Sequence, residues 1–433
     1  MDHRALAHSL TLKYRDEIVQ VMQDLVRMPS QNTPPDGEEL ACQEYIAASL
    51  RNSGLPVDMY ELDQVPGMVE HPAFWPGRRY RGRPNVSSLL EGKGNGRSLL
   101  LTGHMDTVAL GDNVWSKPPF GAQIENGRLY GLGSIDMKGA MGTMLVLFKA
   151  LAQEKVPLAG SLCYESVVDE EEGGVNATIA GRLRYGPMDG AVIPEGTGLN
   201  IYPAARGVLM TNFIFSSGQG TWLEVGTSGE RGADAVQQVG VFLTHIPEIE
   251  ESRRHHPVHP LYASYPDPRP AQITKVYAGG WGPKVPIAVP PEGRVQLVLQ
   301  TLPGEEREAV LKEQEDWLAG LWASNPQVFN PPPQIYHPIR WMPATAMDPA
   351  HPLVTTIVDS AALVFGHAPT IVGAPYACDM FALHQIFGMP ALLCGPTGAN
   401  AHAADEYIEL ESVFQFAEAL LLFVLDWCGT MGQ

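Results

Sequence analysis

Residues 98–108, SLLLTGHMDTV, form an apolar run that ends in two polar side chains, His104 and Asp106. The run predicts a buried strand, and side chains two residues apart on a strand point to the same side. Open α/β sheets bind their ligands at the edge where the carboxyl ends of the strands lie. The pair therefore marks a candidate site at a strand end, although a surface His beside an Asp is also commonplace.

Outward from this strand, short apolar runs alternate with segments of helical periodicity. Apolar residues recur at three- and four-residue spacing in 12–27 and 137–153, which is typical of helices. Strand-like 161–168, helix-like 175–184 and strand-like 191–194 then follow in order. This alternation predicts an α/β protein with a mixed, mostly parallel sheet.

The pattern changes after Arg206. Three strand-like segments, two helix-like segments and a Gly-rich loop indicate a smaller inserted α+β domain, residues 208–330, which ends at a Pro-rich boundary. The sequence thus predicts one α/β domain made of residues 1–207 and 331–433, interrupted by the insertion.

Composition restricts the partners of the chain. Lys and Arg number 29 and Asp and Glu number 48, so the formal net charge is −19, which disfavours nucleic acids and anionic lipids as partners. The longest apolar run, 419–425, is far shorter than the ~20 residues that span a bilayer, and no apolar leader is visible, so we expect neither a membrane span nor a secretion signal. The 5 cysteines contain no CxxC pair, which favours a reducing, cytoplasmic location.

Four further segments with acidic or His residues also adjoin predicted strand ends or turns. Asp136 lies between a Gly-rich turn and a helix start, 169–172 (DEEE) follow a strand-like run, and Glu195 and His402 each follow another. Taken singly, Asp136 is explained as a helix cap and the acidic run as a solvated turn. Taken together with His104, they offer the imidazole and carboxylate ligands that suit zinc, manganese or cobalt in an open, hydrolytic site.

The order of these motifs resembles the M20 metallopeptidase family, which includes aminoacylases, acetylornithine deacetylases, succinyl-diaminopimelate desuccinylases and carboxypeptidase G. The resemblance is carried along nearly the whole chain by GHMDTV, then DNVWSKPPFGAQIENGRLYGLGSIDMKGA, DEEEGG, PEGT and AHAADEYIE. It implies that the inserted domain is a lid, which in this family commonly forms a homodimer.

The resemblance also implies two divalent metal ions, zinc first, with manganese or cobalt as alternatives. His104 and Glu195 would bind one ion, Glu171 and His402 the other, and Asp136 would bridge both. Two further carboxylates would assist: Asp106 would accept the second ring N–H of His104, and Glu170 would be the general base. Within Asp169 to Glu172, the choice of Glu170 as base and Glu171 as ligand rests on the family pattern. In that pattern, DEE precedes one variable residue and then the glycine pair.

Three positions depart from the family pattern. The lid His expected within FSSGQGTWLEVGTSGERGADAV is absent, and its place falls near Thr221 or Trp222. The expected Asn and Arg, which hold substrate in relatives, correspond to Ile287 and Gln300. The loss of an Arg fork weakens recognition of a substrate α-carboxylate, so a routine N-acyl amino acid is not the expected substrate.

These departures leave four candidate residues for contacts with the substrate: Arg206, Trp222, Arg231 and Gln300. Trp222 would stack on a planar group or else belong to the lid core, and Arg206 and Arg231 would replace the lost cation or else be surface charges. Gln300 occupies the position of the missing Arg.

The expected activity is metal-dependent hydrolysis of a C–N (amide) bond in a small molecule. Within the same chemistry, a dipeptidase or carboxypeptidase and a deaminase or deacylase of a planar aromatic compound are alternatives. A metal-containing binding protein that has lost turnover is the alternative from another class. Retention of Glu170 disfavours that last alternative, because a binding protein needs no buried base beside its metals.

Overall fold

The computed structural model describes residues 2–217 and 234–431. The chain divides into two compact units, the first made of Met1–Ala205, Ala346–Ala374 and Cys378–Gln433 and the second of Arg206–Thr345 and Pro375–Ala377. The α-helices in the described ranges are α1 (His3–Arg27), α2 (Leu40–Asn52), α3 (Gly139–Gln153), α4 (Asn176–Tyr185), α5 (Ala235–Thr244), α6 (Ile246–Arg254), α7 (Arg307–Ser324), α8 (Pro352–Phe365) and α9 (Leu410–Cys428).

The strands of the described ranges are mostly short. They are β1 (Asn32–Thr33), β2 (Asp36–Gly37), β3 (Asp58–Tyr60), β4 (Asn85–Leu90), β5 (Leu99–His104), β6 (Gln123–Glu125), β7 (Arg128–Tyr130), β8 (Leu162–Val167), β9 (Ala191–Ile193), β10 (Ile201–Ala205), β11 (Gly207–Ser216), β12 (Ala271–Tyr277), β13 (Glu292–Thr301), β14 (Gln334–Tyr336), β15 (Thr345–Ala346), β16 (Ile371–Ala374), β17 (Ala391–Leu393), β18 (Gly398–Ala399) and β19 (Tyr407–Glu409).

The first unit is built on a central sheet with the strand order β10-β17-β9-β5-β8-β4-β3, and β16 pairs with β10. The pairs β17·β9, β9·β5, β5·β8 and β10·β16 are parallel, whereas β10·β17, β4·β8 and β3·β4 are antiparallel. The predicted mixed, mostly parallel α/β sheet is therefore confirmed.

Helix α3 forms the centre of the helical layer in the first unit. Every residue from Gly139 to Leu151 is buried, so the helix is enclosed on all sides, as expected of a core helix. It packs against α1 and α9. The segment that carries Asp136 leads directly into this buried helix, which fixes the position of that segment.

The second unit contains a four-stranded antiparallel sheet in the order β12-β13-β11-β14. Along β11 buried and half-buried side chains alternate, and helices α5, α6 and α7 contribute to an apolar core with Phe213, Phe215 and Phe242. The sequence predicted that the inserted domain ends at residue 330. In the structure β14 pairs with β11 and so adds to this sheet, and the second unit continues to Thr345.

The parallel strands of the first unit bring chemistry-bearing residues to one edge of the sheet. His104 is the last residue of β5, and Glu195 follows the end of the neighbouring β9 by two residues. The acidic run 169–172 follows β8, the other parallel neighbour of β5. Because parallel strands end at the same edge, these side chains meet there.

Two further features concern the whole described chain. No helix of the described residues is long and apolar enough to cross a membrane. All 5 cysteines are buried and unpaired.

A buried ion pair contributes to the stability of the first unit. The Arg182 guanidinium donates to the Glu165 carboxylate at 2.7 Å, and both side chains are fully buried. Glu165→Gln leaves the guanidinium without a counter-charge, so we expect the free energy of unfolding to fall by about 3–5 kcal/mol in urea titrations. Asp316→Asn, which disrupts an exposed pair with Lys312, is the matched control and should change little. Equal effects of the two substitutions would contradict this prediction.

Candidate metal centre

Asp136 lies between two imidazole rings at the carboxyl edge of the central sheet. Its Oδ1 is 3.2 Å from His104 Nε2, and its Oδ2 is 3.2 Å from His402 Nε2. His402 comes from the loop between β18 and β19, whereas Asp136 precedes α3 and is joined to Met137 by a cis peptide bond. One carboxylate thus faces an imidazole nitrogen with each of its two oxygens.

Each imidazole also has a carboxylate of its own. Glu195 Oε1 is 3.6 Å from His104 Nε2, and Glu171 Oε2 is 2.8 Å from His402 Nε2. Ligand atoms of His104, Asp136 and Glu171 all lie within 4.8 Å of one another. The five residues therefore form two linked clusters, each with one imidazole and one terminal carboxylate.

Glu170 lies at the rim of the same group. Its Oε2 is 4.0 Å from His104 Nε2, farther than the other carboxylates are from their imidazoles. Asp169 is fully buried and instead accepts a hydrogen bond from the Tyr80 hydroxyl at 2.6 Å. Within the run 169–172, it is thus the second and third carboxylates that face the imidazoles.

The group concentrates negative charge in a buried place. Burial raises the pKa of Glu170 well above its usual range and raises the pKa of Glu195 to about 7. The Glu171 carboxylate, with Asp136, raises the pKa of His402 to about 12. These carboxylates thus strongly favour a positive charge at the imidazole nitrogens, where protons and metal ions compete for the same lone pair.

The donor set fits divalent metal ions. In the described part of the first unit, the ion pairs of these four carboxylates are with imidazoles alone, with no Lys or Arg within 4.0 Å. Buried carboxylates in such number need cations to offset their repulsion, and nitrogen and oxygen donors suit zinc, manganese or cobalt.

Asp106 acts differently from the sequence-based expectation. The ring nitrogen Nδ1 of His104 bonds to the backbone carbonyl of Asp106 at 2.9 Å, whereas the Asp106 carboxylate is 3.7 Å away. That carboxylate accepts the backbone N–H groups of Glu170 at 3.2 Å and Glu171 at 3.0 Å, and the Asn32 amide at 2.9 Å. The Asp106 carboxylate is thus bonded to the acidic turn, and its main-chain carbonyl is bonded to the ring.

Comparison with known proteins bears on this geometry. The family model described as Peptidase family M20/M25/M40 matches residues 100–426, which is most of the chain. The chain belongs to peptidase family M20/M25/M40. It is 25% identical over 436 residues to N-formyl-4-amino-5-aminomethyl-2-methylpyrimidine deformylase of Bacillus subtilis (strain 168), with 96% of each chain covered.

Solved structures share the fold of this M20 chain. A dipeptidase of Saccharomyces cerevisiae has a TM-score of 0.80 at 14% identity, with 100% of both chains covered. A dinuclear metal-binding M20 peptidase of Bacillus subtilis has a TM-score of 0.56 at 14% identity, with 97% of this chain and 99% of that chain covered. The M20 resemblance is thus confirmed, and the protein is a hydrolase acting on a carbon–nitrogen bond.

The residues predicted to contact substrate belong to the second unit of this M20 chain. Arg206 is buried, and its guanidinium donates to Gln300 Oε1 at 2.6 Å and to the carbonyls of Pro375 and Asp267, both at 3.1 Å. Ile287, at the position of the family's Asn, is 83% exposed. Thr221, Trp222 and Arg231 lie outside the described residues.

Sequence reasoning did not find Asn32 or the role of the Asp106 carboxylate. Asn32 Nδ2 donates to both Asp106 Oδ2, at 2.9 Å, and Asp169 Oδ1, at 3.2 Å, and so links Asp106 to the first carboxylate of the acidic run. Asn32 comes from a two-residue strand far from the other motifs, and it gave no signal of its own in the sequence.

Proposed function

We propose that the protein is a two-metal-dependent deacylase that removes a formyl or similar small acyl group from an amine carrying a planar aromatic ring. The observation that carries the metal-dependent chemistry is the placement of Asp136, 3.2 Å from an imidazole nitrogen on either side. Full-length similarity to a deformylase of an aminomethylpyrimidine supports this choice of substrate.

The ligands would be divided between the two ions. His104 and Glu195 would hold one ion and Glu171 and His402 the other, with Asp136 as the bridge; zinc suits this set, and manganese and cobalt are alternatives. The hydrogen bond from His104 Nδ1 to the Asp106 carbonyl leaves the Nε2 lone pair for the ion.

Bound ions would supply Lewis-acid activation of a water and of the scissile carbonyl. Glu170 would accept a proton from that water on its carboxylate and pass it to the leaving nitrogen, so that the C–N bond breaks as a C–O bond forms. Burial raises the pKa of Glu170 above its usual range, which suits a carboxylate that must accept a proton. Asp106 would keep Glu170 in place through the backbone N–H.

The second unit supports a substrate without an α-carboxylate. Gln300 stands where the M20 resemblance places a carboxylate-binding Arg, and the Arg206 guanidinium already donates to Gln300 and to two main-chain carbonyls. A neutral amide side chain cannot make the bidentate pair that a carboxylate needs.

Metal removal tests the proposed centre. We expect about two divalent ions per chain by elemental analysis, loss of turnover after dialysis against a chelator, and recovery on adding zinc, manganese or cobalt. Full turnover of the chelator-treated, metal-free protein would contradict the proposed mechanism.

A substrate panel tests the proposed specificity. We expect N-formyl derivatives of aminomethylpyrimidines and benzylamine to be hydrolysed faster than N-acetyl amino acids and dipeptides. Faster hydrolysis of dipeptides would favour the dipeptidase alternative. Binding of these compounds without any turnover would favour a binding protein.

Two properties stay predictions. We infer that the protein is cytoplasmic, because its 5 cysteines are unpaired. We also infer a homodimer formed through the second unit, and sedimentation at several concentrations would detect it.

A further inference from the structure

Glu406 is a buried carboxylate, 1% exposed, that within the described residues accepts hydrogen bonds from main-chain donors only. Its Oε2 accepts the N–H of Gly133 at 2.8 Å, and its Oε1 accepts the N–H groups of Ile135 at 2.8 Å and Asp136 at 3.2 Å. Its own carbonyl accepts the N–H of Gly131 at 2.9 Å. All four donors lie in the loop that carries Asp136.

The segment around Glu406 also carries His402, four residues earlier. Directly after Glu406, β19 pairs with β7 and so ties the His402 loop to the start of the Asp136 loop. Asp136 Oδ2 and His402 Nε2 are 3.2 Å apart at the end of these two loops. Glu406 therefore connects the loop of Asp136 to the loop of His402. The side chains of these two residues must stay a fixed distance apart if they are to bind a common ion.

We propose that Glu406 is a positioning residue of the metal centre, which fixes the loop of the bridging Asp136 against the loop of His402. This inference rests on the proposed function. A carboxylate suits the role because three donors converge on two acceptor oxygens, whereas a neutral amide offers one acceptor oxygen and an NH₂ group. Replacement by Gln therefore leaves at least one buried N–H without an acceptor.

The Glu406→Gln variant should bind metal more weakly and yet remain able to turn over substrate. Loss of a residue that supports metal ligands typically weakens metal binding by about 10–100-fold, and we expect this increase in the Kd of at least one ion. Because Glu406 does not touch the reacting atoms, kcat should approach the wild-type value at saturating metal. Titration calorimetry of the metal-free protein with zinc would measure the Kd, and steady-state kinetics at saturating zinc would measure kcat. The visible absorption of bound cobalt would report on the arrangement of the ligands.

Glu409→Gln is the matched control. Glu409 lies three residues later, is half exposed and pairs with Arg128 at 3.1 Å, so its replacement should leave both Kd values unchanged. Glu406→Asp keeps the charge but is shorter by one methylene, and it should bind metal more weakly than the wild type.

The outcomes separate this inference from the proposed function. Wild-type Kd values in a folded Glu406→Gln variant would overturn the positioning role. If that variant does not fold, wild-type Kd values in Glu406→Asp would do the same. A wild-type chain that binds fewer than two ions would overturn the proposed two-metal function and, with it, this inference.

Discussion

Replacing Glu170 with Gln is expected to lower kcat by about 10²–10⁴-fold, which is the usual contribution of a positioned general base. Gln has the same shape but cannot accept a proton from water at neutral pH. Glu170 Oε2 lies 4.0 Å from His104 Nε2, outside the closer carboxylate–imidazole contacts, so both ions should remain bound. The expected result is thus loss of the chemical step with the metal centre intact.

The measurement combines steady-state kinetics with elemental analysis of the same preparation. Glu172→Gln removes one negative charge from the same turn and serves as a control that should keep near wild-type kcat. If Glu170→Gln retained wild-type kcat, or if it lost metal along with activity, the assignment of Glu170 as the base would be wrong.

Replacing Asp136 with Asn is expected to remove at least one of the two ions. Asp136 faces an imidazole with each oxygen, at 3.2 Å on both sides, so Asn would leave an NH₂ group towards one of them. Supporting residues alone change metal affinity by about 10–100-fold, and a bridging ligand should change it by more than about 100-fold. Activity should fall with the metal content.

Metal titration of the metal-free protein measures this effect. The matched control is Asp405→Asn, because Asp405 follows His402 closely but accepts the N–H groups of Ser116 and Lys117. The control should bind both ions as the wild type does. Retention of two tightly bound ions by Asp136→Asn would rule out the bridge.

Together, the two substitutions separate proton transfer from metal binding. Glu170→Gln should lose turnover and keep metal, whereas Asp136→Asn should lose metal first. Because metal content is measured apart from kcat, the distinction does not depend on knowing the natural substrate.

The sequence contained most of what determines the fold and the grouping of the candidate ligands. Short apolar runs predict strands, and those that end near His104 and Glu195 place a polar side chain at the end of each strand. Because β5 and β9 pair in parallel, these two ends lie at the same edge of the sheet. The mixed, mostly parallel sheet followed from the alternation of these runs with helical segments, and the structure confirmed it.

Contacts that involve main-chain groups could not be predicted from the sequence. Glu406 and the Asp106 carboxylate both accept backbone N–H groups, which every residue except proline provides, so no particular residue type marks the partner. For the same reason the backbone carbonyl of Asp106, rather than its carboxylate, could not be identified as the acceptor of the His104 ring. β14 was missed for another reason, because a three-residue exposed strand after a Pro-rich segment has almost no periodicity.

The position of β17 in the sheet has a consequence for biosynthesis. This strand, Ala391–Leu393, lies between β9 and β10, although both neighbours are made nearly two hundred residues earlier. A nascent chain that has not yet emerged past the second unit therefore exposes open strand edges and lacks His402. Open strand edges make such an intermediate prone to aggregation, and the full set of candidate ligands is complete only once His402 has emerged.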